Sequence, residues 1–301
     1  MNSFNLRASD LDLALTLGSG QVFHWRCPDR VQWEGCLGMH FFRLARRAPS
    51  TLSVHTTAEP AMARSLLRNY FGLNHSLRSI VKTFPSDPLM QASLQANVGL
   101  RLLAQDAWVA LACFILSSTK QIIQIRQMVQ AISQAFGAEV TDQSGQLLDH
   151  SFPTPGSLAR AGESALRACR MGYRARFLHQ TACLIDQGKF DLVKVGQLAL
   201  PEAREALMQL PGVGPKIADC VLLFGYGFQS AFPLDVWMIR ILRDYYFPGQ
   251  SPSVKALQAF ANDYFGRHAG YAQQYLFDHV RALDASTWKK LVSDSPFIPS
   301  S

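Results

Sequence analysis

Leu210-Pro211-Gly212-Val213-Gly214-Pro215-Lys216-Ile217-Ala218-Asp219-Cys220 lies between a helix opened by Pro201 and a second helix opened by Pro215. Gly212 and Gly214 permit backbone angles that other residues avoid, and proline suits the first position of a helix. The segment therefore reads as two helices, within 201–227, joined through a glycine-rich turn. Free N–H groups at such a turn, backed by the positive end of the helix dipole, attract phosphate. Backbone donors placed there cannot read base identity, so the element, with Gly212, Val213 and Gly214 at its tip, would anchor a duplex without specifying its sequence.

Lys216 sits in the first turn of the second helix, among Val213, Ile217, Cys220 and Val221. The dipole and the apolar neighbours both disfavour an ammonium there. A neutral primary amine can attack an electron-poor carbon and go on to a Schiff base, chemistry open to lysine and closed to arginine. An exposed lysine that only binds phosphate fits the same residue. Downstream, Ala231-Phe232-Pro233-Leu234-Asp235-Val236 places one carboxylate directly before a helix carrying Ile239 and Leu242. Asp235 reads as an N-cap, and could be that alone. A capping carboxylate that accepts N–H bonds also stays ionised, as a group stabilising an oxocarbenium-like sugar must.

The 301 residues are enough for two or three domains. Apolar residues make up 48% and charged residues 17%, so the chain is an ordinary globular protein and not a disordered one. The excess of 29 Lys+Arg over 22 Asp+Glu suits an anionic partner, although a solvated basic face would give the same balance. Basic residues occur in short clusters, such as Arg43, Arg46 and Arg47, which predicts a footprint and not a charged tail. The six cysteines lack C-x-x-C spacing, no histidine pair stands at ligand intervals, and no cysteine follows Cys220. The expectation is reduced thiols, no metal, no iron–sulfur cluster and no other cofactor. No apolar run is long enough for a membrane span and the N-terminus shows no signal-peptide core. A soluble, intracellular monomer is expected, in the cytoplasm or nucleoid of a bacterium or the nucleus of a eukaryote.

Outward from the hairpin, the fold class predicted is α+β: an N-terminal antiparallel β-sheet domain with flanking helices over 1–100, then mainly α-helical domains over 101–295. Short β-prone runs at Val22–Arg26, Val31–Cys36, His40–Leu44 and Thr51–Thr56 alternate with turn signals and predict an antiparallel meander. After Pro60 the period becomes helical. Ile122, Ile125, Val129, Ile132 and Phe136 mark an amphipathic helix over 118–136 that stops at Gly137. Residues 138–156 read as a surface connection, and further helices are predicted around 157–169, 174–187, 201–210, 215–227, 236–246 and 253–265.

The hairpin LPGVGPK followed by PLDV resembles the helix-hairpin-helix glycosylase superfamily, and specifically its 8-oxoguanine DNA glycosylase branch, over nearly the whole chain. The resemblance implies a bifunctional glycosylase and abasic-site lyase that flips a damaged purine out of duplex DNA, with Lys216 as nucleophile and Asp235 as its carboxylate partner. Leu17-Gly18-Ser19-Gly20-Gln21-Val22-Phe23 resembles the segment whose glycine, here Gly20, offers a carbonyl to the N7 hydrogen that distinguishes 8-oxoguanine from guanine. Cys220 and Phe277 correspond to the residues that sandwich the flipped base, and Gln273 to the one that bonds its Watson–Crick edge. Met171-Gly172-Tyr173-Arg174 resembles the segment whose tyrosine wedges into the stack and whose arginine contacts the orphaned base.

The chain departs from the family pattern at four places. Thr119 stands where an asparagine fills the vacated space, and Gln124 where a second arginine faces the opposite cytosine. Trp237 and Val280 replace a histidine and an aspartate that form a polar pair. The first two changes predict a relaxed opposite-base preference. An alkylpurine glycosylase, which activates water and needs no lysine, is the alternative within the superfamily. A non-catalytic DNA-binding hairpin is the alternative outside enzymes, and a small-molecule enzyme would leave the hairpin unexplained.

Overall fold

The computed structural model describes residues 1–297 and opens with strand β1 (Asn2–Arg7), helix α1 (Leu13–Gly18) and strands β2 (Gln32–Leu37), β3 (His40–Ala48) and β4 (Thr51–Thr56). These strands form one antiparallel sheet in the order β1-β4-β3-β2. In the register that pairs Leu44 with Val54 and Phe42 with Thr56, the period of two sends Phe42, Leu44, Leu52 and Val54 to one fully buried face. That face packs on Leu13, Leu17, Trp25, Leu67 and Phe71, the core of an N-terminal module.

Helices make up most of the rest: α2 (Pro60–Tyr70), α3 (Leu77–Val81), α4 (Pro88–Ala96), α5 (Ala107–Leu116) and α6 (Ile122–Phe136) come first. After a hairpin of β5 (Glu139–Thr141) and β6 (Leu147–His150) follow α7 (Pro155–Leu166), α8 (Arg174–Asp186), α9 (Leu192–Val195), α10 (Leu200–Met208) and α11 (Pro215–Tyr226). The chain continues through α12 (Val236–Ile241), α13 (Val254–Phe265), α14 (Ala269–Ala282) and α15 (Ala285–Ser293). Helix α5 is apolar all round, as a helix enclosed on every side must be, and packs against α11 at the centre of a second core.

The structure corrects the sequence reading in several places. Val22–Arg26 is not a strand; only Arg26 makes a bridge, to Glu34. Its β-prone side chains are instead anchors, with Val22 and Trp25 in the first core and Phe23 in the second, and Trp25 Nε1 donating to Tyr70 Oη at 2.8 Å. The missing strand is β1, whose polar sequence hides it and which pairs with β4, so the sheet is not a simple meander. Residues 138–156 are not merely a surface connection. They contain the β5–β6 hairpin, closed by Asp142 accepting from Ser144 and Gln146 N–H, with Val140 buried beneath. The amphipathic helix α6 begins at Ile122 and not at 118. Helices near 157–169 and 236–246 end in wider turns at Arg167–Met171 and Leu242–Tyr246.

Two buried contacts fix the parts that matter most. Gln21 is fully enclosed, and its amide nitrogen donates to the carbonyls of Thr16 and Arg101 while its amide oxygen accepts from Leu103 N–H at 2.8 Å. This ties the segment after α1 to the chain entering α5. In the hairpin, Arg204 Nε on α10 lies 2.7 Å from Asp219 Oδ1 on α11, and Asp219 is almost wholly buried. Burial pushes the Asp219 carboxyl up to about 6, with Arg204 pulling the other way.

Replacing Gln21 by Met removes these partners and strands the Leu103 N–H in the interior. Chemical denaturation should show a loss of about 2–4 kcal/mol, and an unchanged midpoint would show that the amide is dispensable. Because the Asp219 pKa is raised on folding, its neutral form suits the fold better. Its stabilising contribution is complete below about pH 4 and fades as pH rises through about 6. Arg204→Met should therefore cost about 3 kcal/mol at pH 7.5, where it abandons a buried carboxylate, and clearly less at pH 4.5. An equal cost at both values would contradict this account.

Candidate active site

The hairpin turn between α10 and α11 is shaped by Gly212, at φ +78°, where an added Cβ would lie 2.7 Å from ring atoms of Phe177. Only glycine satisfies both the left-handed angle and that contact. Gly214 precedes α11 in extended conformation, Pro215 takes the first helical position, and no side chain caps the helix. Its first-turn N–H groups are left for an anion. Phe177 also meets Tyr173 edge-on at 5.9 Å, so hairpin tip and Tyr173 belong to one surface, on which Tyr173 is 50% exposed.

Lys216 and Cys220 are four apart on α11 and share a face. The Lys216 side chain is half-buried, with Nζ 5.4 Å from the Phe114 ring centroid and 3.4 Å from Ser117 Oγ, both presented by the end of α5. Asp235 caps α12, its Oδ1 accepting from Met238 N–H at 2.8 Å, and is half-buried. Cys220 feels the charge of both. Burial pushes its thiol up to about 11, the charge of Lys216 pulls it down and that of Asp235 adds to the rise. Cys220 is therefore a neutral thiol, which leaves Lys216 as the candidate nucleophile of this cluster.

Helix α14 carries a second group of candidate residues. Gln273, Phe277 and Arg281 stand at four-residue intervals on one face. Gln273 is buried, and its Oε1 has no hydrogen-bond partner among the described residues. An enclosed acceptor of this kind awaits a donor. Its neighbour Gln274 donates to the carbonyl of Ser19 at 3.1 Å, which seats the Gly20 turn on α14. Gly20, at φ +87°, lies against Ile122 of α6, whose Cδ1 would be 2.7 Å from an added Cβ. Gly20, Gln273, Phe277, Cys220, Lys216 and Asp235 thus come from four separate segments.

Arg174, which the resemblance assigns to the orphaned base, is turned inward. It is 4% exposed, donates to the Ser118 carbonyl and to Thr119 Oγ1, and stacks over the Tyr173 ring. Thr119 adopts φ +52°, a left-handed angle that is strained for a β-branched residue and tolerated by asparagine. Gln124 folds back, its Oε1 accepting from Gln121 N–H at the start of α6. Trp237 is partly exposed beside Asp235, and Val280 is buried.

The sequence reading missed Arg281 and Asp278. Arg281 lies over the Phe277 ring at 5.0 Å, and its Nη2 donates to Asp278 Oδ1 at 3.0 Å. The signal was an acid and a base three apart, directly after the aromatic. A cleft of about 1110 Å³, lined by Trp25, Tyr70, Trp108, Arg126 and Asp149, touches neither Lys216 nor Asp235. Among the described residues no cluster of three His, Cys, Asp or Glu side chains could hold a metal, the six cysteines are free, and no helix is long and apolar enough to cross a membrane.

The chain is similar to known proteins along both of its parts. The family described as 8-oxoguanine DNA glycosylase, N-terminal domain, matches residues 3–111, and the HhH-GPD superfamily base excision DNA repair protein family matches residues 112–266. The N-glycosylase/DNA lyase OGG1 of Arabidopsis thaliana is 31% identical over 287 residues, covering 90% of this chain and 78% of that protein. The structure of MBOgg1 in complex with a low-affinity DNA ligand superposes with a TM-score of 0.87 at 30% identity, covering 93% of this chain and 96% of that one. The Clostridium acetobutylicum 8-oxoguanine glycosylase/lyase in complex with duplex DNA containing cytosine opposite 8-oxoguanine gives 0.84 at 27%, covering 92% and 97%. Sheet module, glycine hairpin and the match along both parts of the chain together make it a member of the 8-oxoguanine DNA glycosylase family within the HhH-GPD superfamily.

Proposed function

We propose that this protein is a DNA N-glycosylase and abasic-site lyase that removes 8-oxoguanine from duplex DNA in base excision repair, with Lys216 and Asp235 as its reacting pair. The observation that carries the reading is the seat of the Lys216 amine. It rests between Phe114 and Ser117 at the mouth of the hairpin, and its charge and that of the Asp235 carboxylate are both felt at the Cys220 thiol. The hairpin N–H groups at Gly212, Val213 and Gly214 hold a backbone phosphate, which places a deoxyribose at this mouth.

In the first step Lys216 Nζ, acting as free amine, bonds to the sugar C1′ while the bond to the base nitrogen breaks, and its electron pair leaves with the base, which takes up a proton. Positive charge develops on the sugar ring, and the Asp235 carboxylate opposes it. Opening of the ring gives a protonated Schiff base between C1′ and Nζ. Loss of a C2′ proton then expels the 3′ phosphate, and water returns the free lysine. The flipped base lies between Cys220 and Phe277, gives its N7 hydrogen to the Gly20 carbonyl and meets the unpartnered Gln273 amide oxygen along its Watson–Crick edge. Guanine, lacking that hydrogen, would leave the Gly20 acceptor unpaired at a cost of about 1–3 kcal/mol. Tyr173 enters the stack from its exposed position, and Arg174 reaches the orphaned base once released from Ser118 and Thr119. With Gln124 turned back onto its own helix, tolerance of bases other than cytosine is expected. An alkylpurine glycosylase activating water would have no use for the seated lysine.

Borohydride added during turnover should trap a covalent adduct between protein and DNA, absent in Lys216→Gln. An adduct of undiminished yield in that variant would remove the nucleophile from Lys216. Asparagine caps helices as well as aspartate does. Asp235→Asn should therefore keep thermal stability and DNA affinity while slowing base release by about 100-fold or more. Asp235→Ala should lose about 1 kcal/mol of stability as well. A near-normal rate in the asparagine variant would reduce Asp235 to a structural cap.

A further inference from the structure

Arg281 occupies a position that nothing in the chemistry above uses. Phe277 is the expected platform for the flipped base and Gly20 the expected partner of its imidazole edge. Arg281 stands between them, with its guanidinium carbon 5.0 Å from the Phe277 ring centroid and its Nη1 3.6 Å from where a Cβ on Gly20 would be. The side chain is partly buried and held from behind, Nη2 being spent on Asp278 Oδ1 at 3.0 Å. Nη1 makes no hydrogen bond to any described residue and is left with its donors free. Arg126, whose Nη2 donates to the Leu17 carbonyl two residues before Ser19, is near enough for the charge of Arg281 to be felt there. The Gly20 edge of the pocket is therefore positively charged, and Asp278 is the carboxylate paired with it.

We propose that Arg281 is a specificity-determining residue of the base pocket, its free guanidinium donors meeting the carbonyl oxygen on the imidazole edge of a neutral oxidised purine and repelling a purine made cationic by alkylation. The inference rests on the base-excision reading and deepens it by naming what sorts oxidised from alkylated substrates. The physical reason is the partly enclosed setting. A charged donor makes a stronger hydrogen bond to a fixed acceptor there than in water, and two cations repel more strongly. A site built to donate to one substrate oxygen also rejects an analogue that lacks it. Asp278 acts through Arg281 as a positioning residue, fixing which nitrogen faces the base.

The test uses the full chain and three duplexes, each with cytosine opposite the altered site, carrying 8-oxoguanine, 7-methylguanine or a preformed abasic sugar. Single-turnover rates are measured for Arg281→Met, which keeps the stem and drops the charge, and for Arg281→Lys. Release of 8-oxoguanine should fall tenfold or more in Arg281→Met and recover partly in Arg281→Lys. Release of 7-methylguanine should not fall, and cleavage at the abasic site, where no base fills the pocket, should change less than twofold. Equal losses on the 8-oxoguanine and abasic duplexes would mark a merely structural role and overturn the proposal, as would an unchanged 8-oxoguanine rate. If Arg281→Met fails to fold, Arg281→Lys and Asp278→Asn decide the matter. Both should slow 8-oxoguanine release while sparing the abasic duplex, and parity of either with the parent on 8-oxoguanine would refute it. A parent protein that cleaves the abasic duplex but releases no 8-oxoguanine would instead sink the substrate reading itself, and the role of Arg281 with it.

Discussion

The arrangement depends on one buried amide. Gln21 leaves none of its polar side-chain atoms unmet, bonding the Thr16 and Arg101 carbonyls and the Leu103 N–H. Its own carbonyl accepts from Gln105, whose backbone N–H reaches Phe224 at the end of α11. A short polar chain therefore runs from the sheet module through the entry to α5 and on to the hairpin helix. Removing any member would leave an enclosed donor or acceptor without a partner, which is why the sheet cannot drift against the helices. The Gly20 turn, one residue away, inherits that fixity, and Gln274 fastens its other side to α14.

With the turn held, two helical repeats do the rest. On α11 a spacing of four aligns Lys216 with Cys220, and on α14 the same spacing aligns Gln273, Phe277 and Arg281. These faces, together with the capped start of α12, would set the groups of the proposed pocket by helix geometry and not by loop conformation. The hairpin contributes differently. It offers backbone donors freed by Gly212 and Gly214, so the hold on phosphate proposed for it would not depend on any side chain rotamer.

Much of this was legible in the residues. The hairpin, the cap at Asp235 and helix α6 follow from glycine, proline, capping and periodicity, which are local causes. What was hidden has tertiary causes. Val22, Phe23 and Trp25 look like a strand because buried anchors and strands favour the same residues, whereas β1 is polar enough to pass for a loop. Helix α14 lacks an amphipathic period because residues 269–276 are buried all round, so it went unread although it carries the pocket. Arg174 looks like a surface residue until its partners Ser118 and Thr119, more than fifty positions away, are brought against it. Arg281 is an ordinary helix-end arginine in the sequence and acquires meaning only from Gly20, some 260 residues earlier.

The environment of Cys220 has a consequence for survival of the protein under the stress that creates its substrate. A thiol held near 11 by burial and by the neighbouring carboxylate is almost never ionised at neutral pH. Peroxide and disulfides attack the ionised form, so this sulfur stays out of their reach. Were Cys220 the platform for the flipped base, as proposed, a thiolate there would expose the site to the same oxidative burst that damages the genome. A sulfur kept protonated is spared that attack.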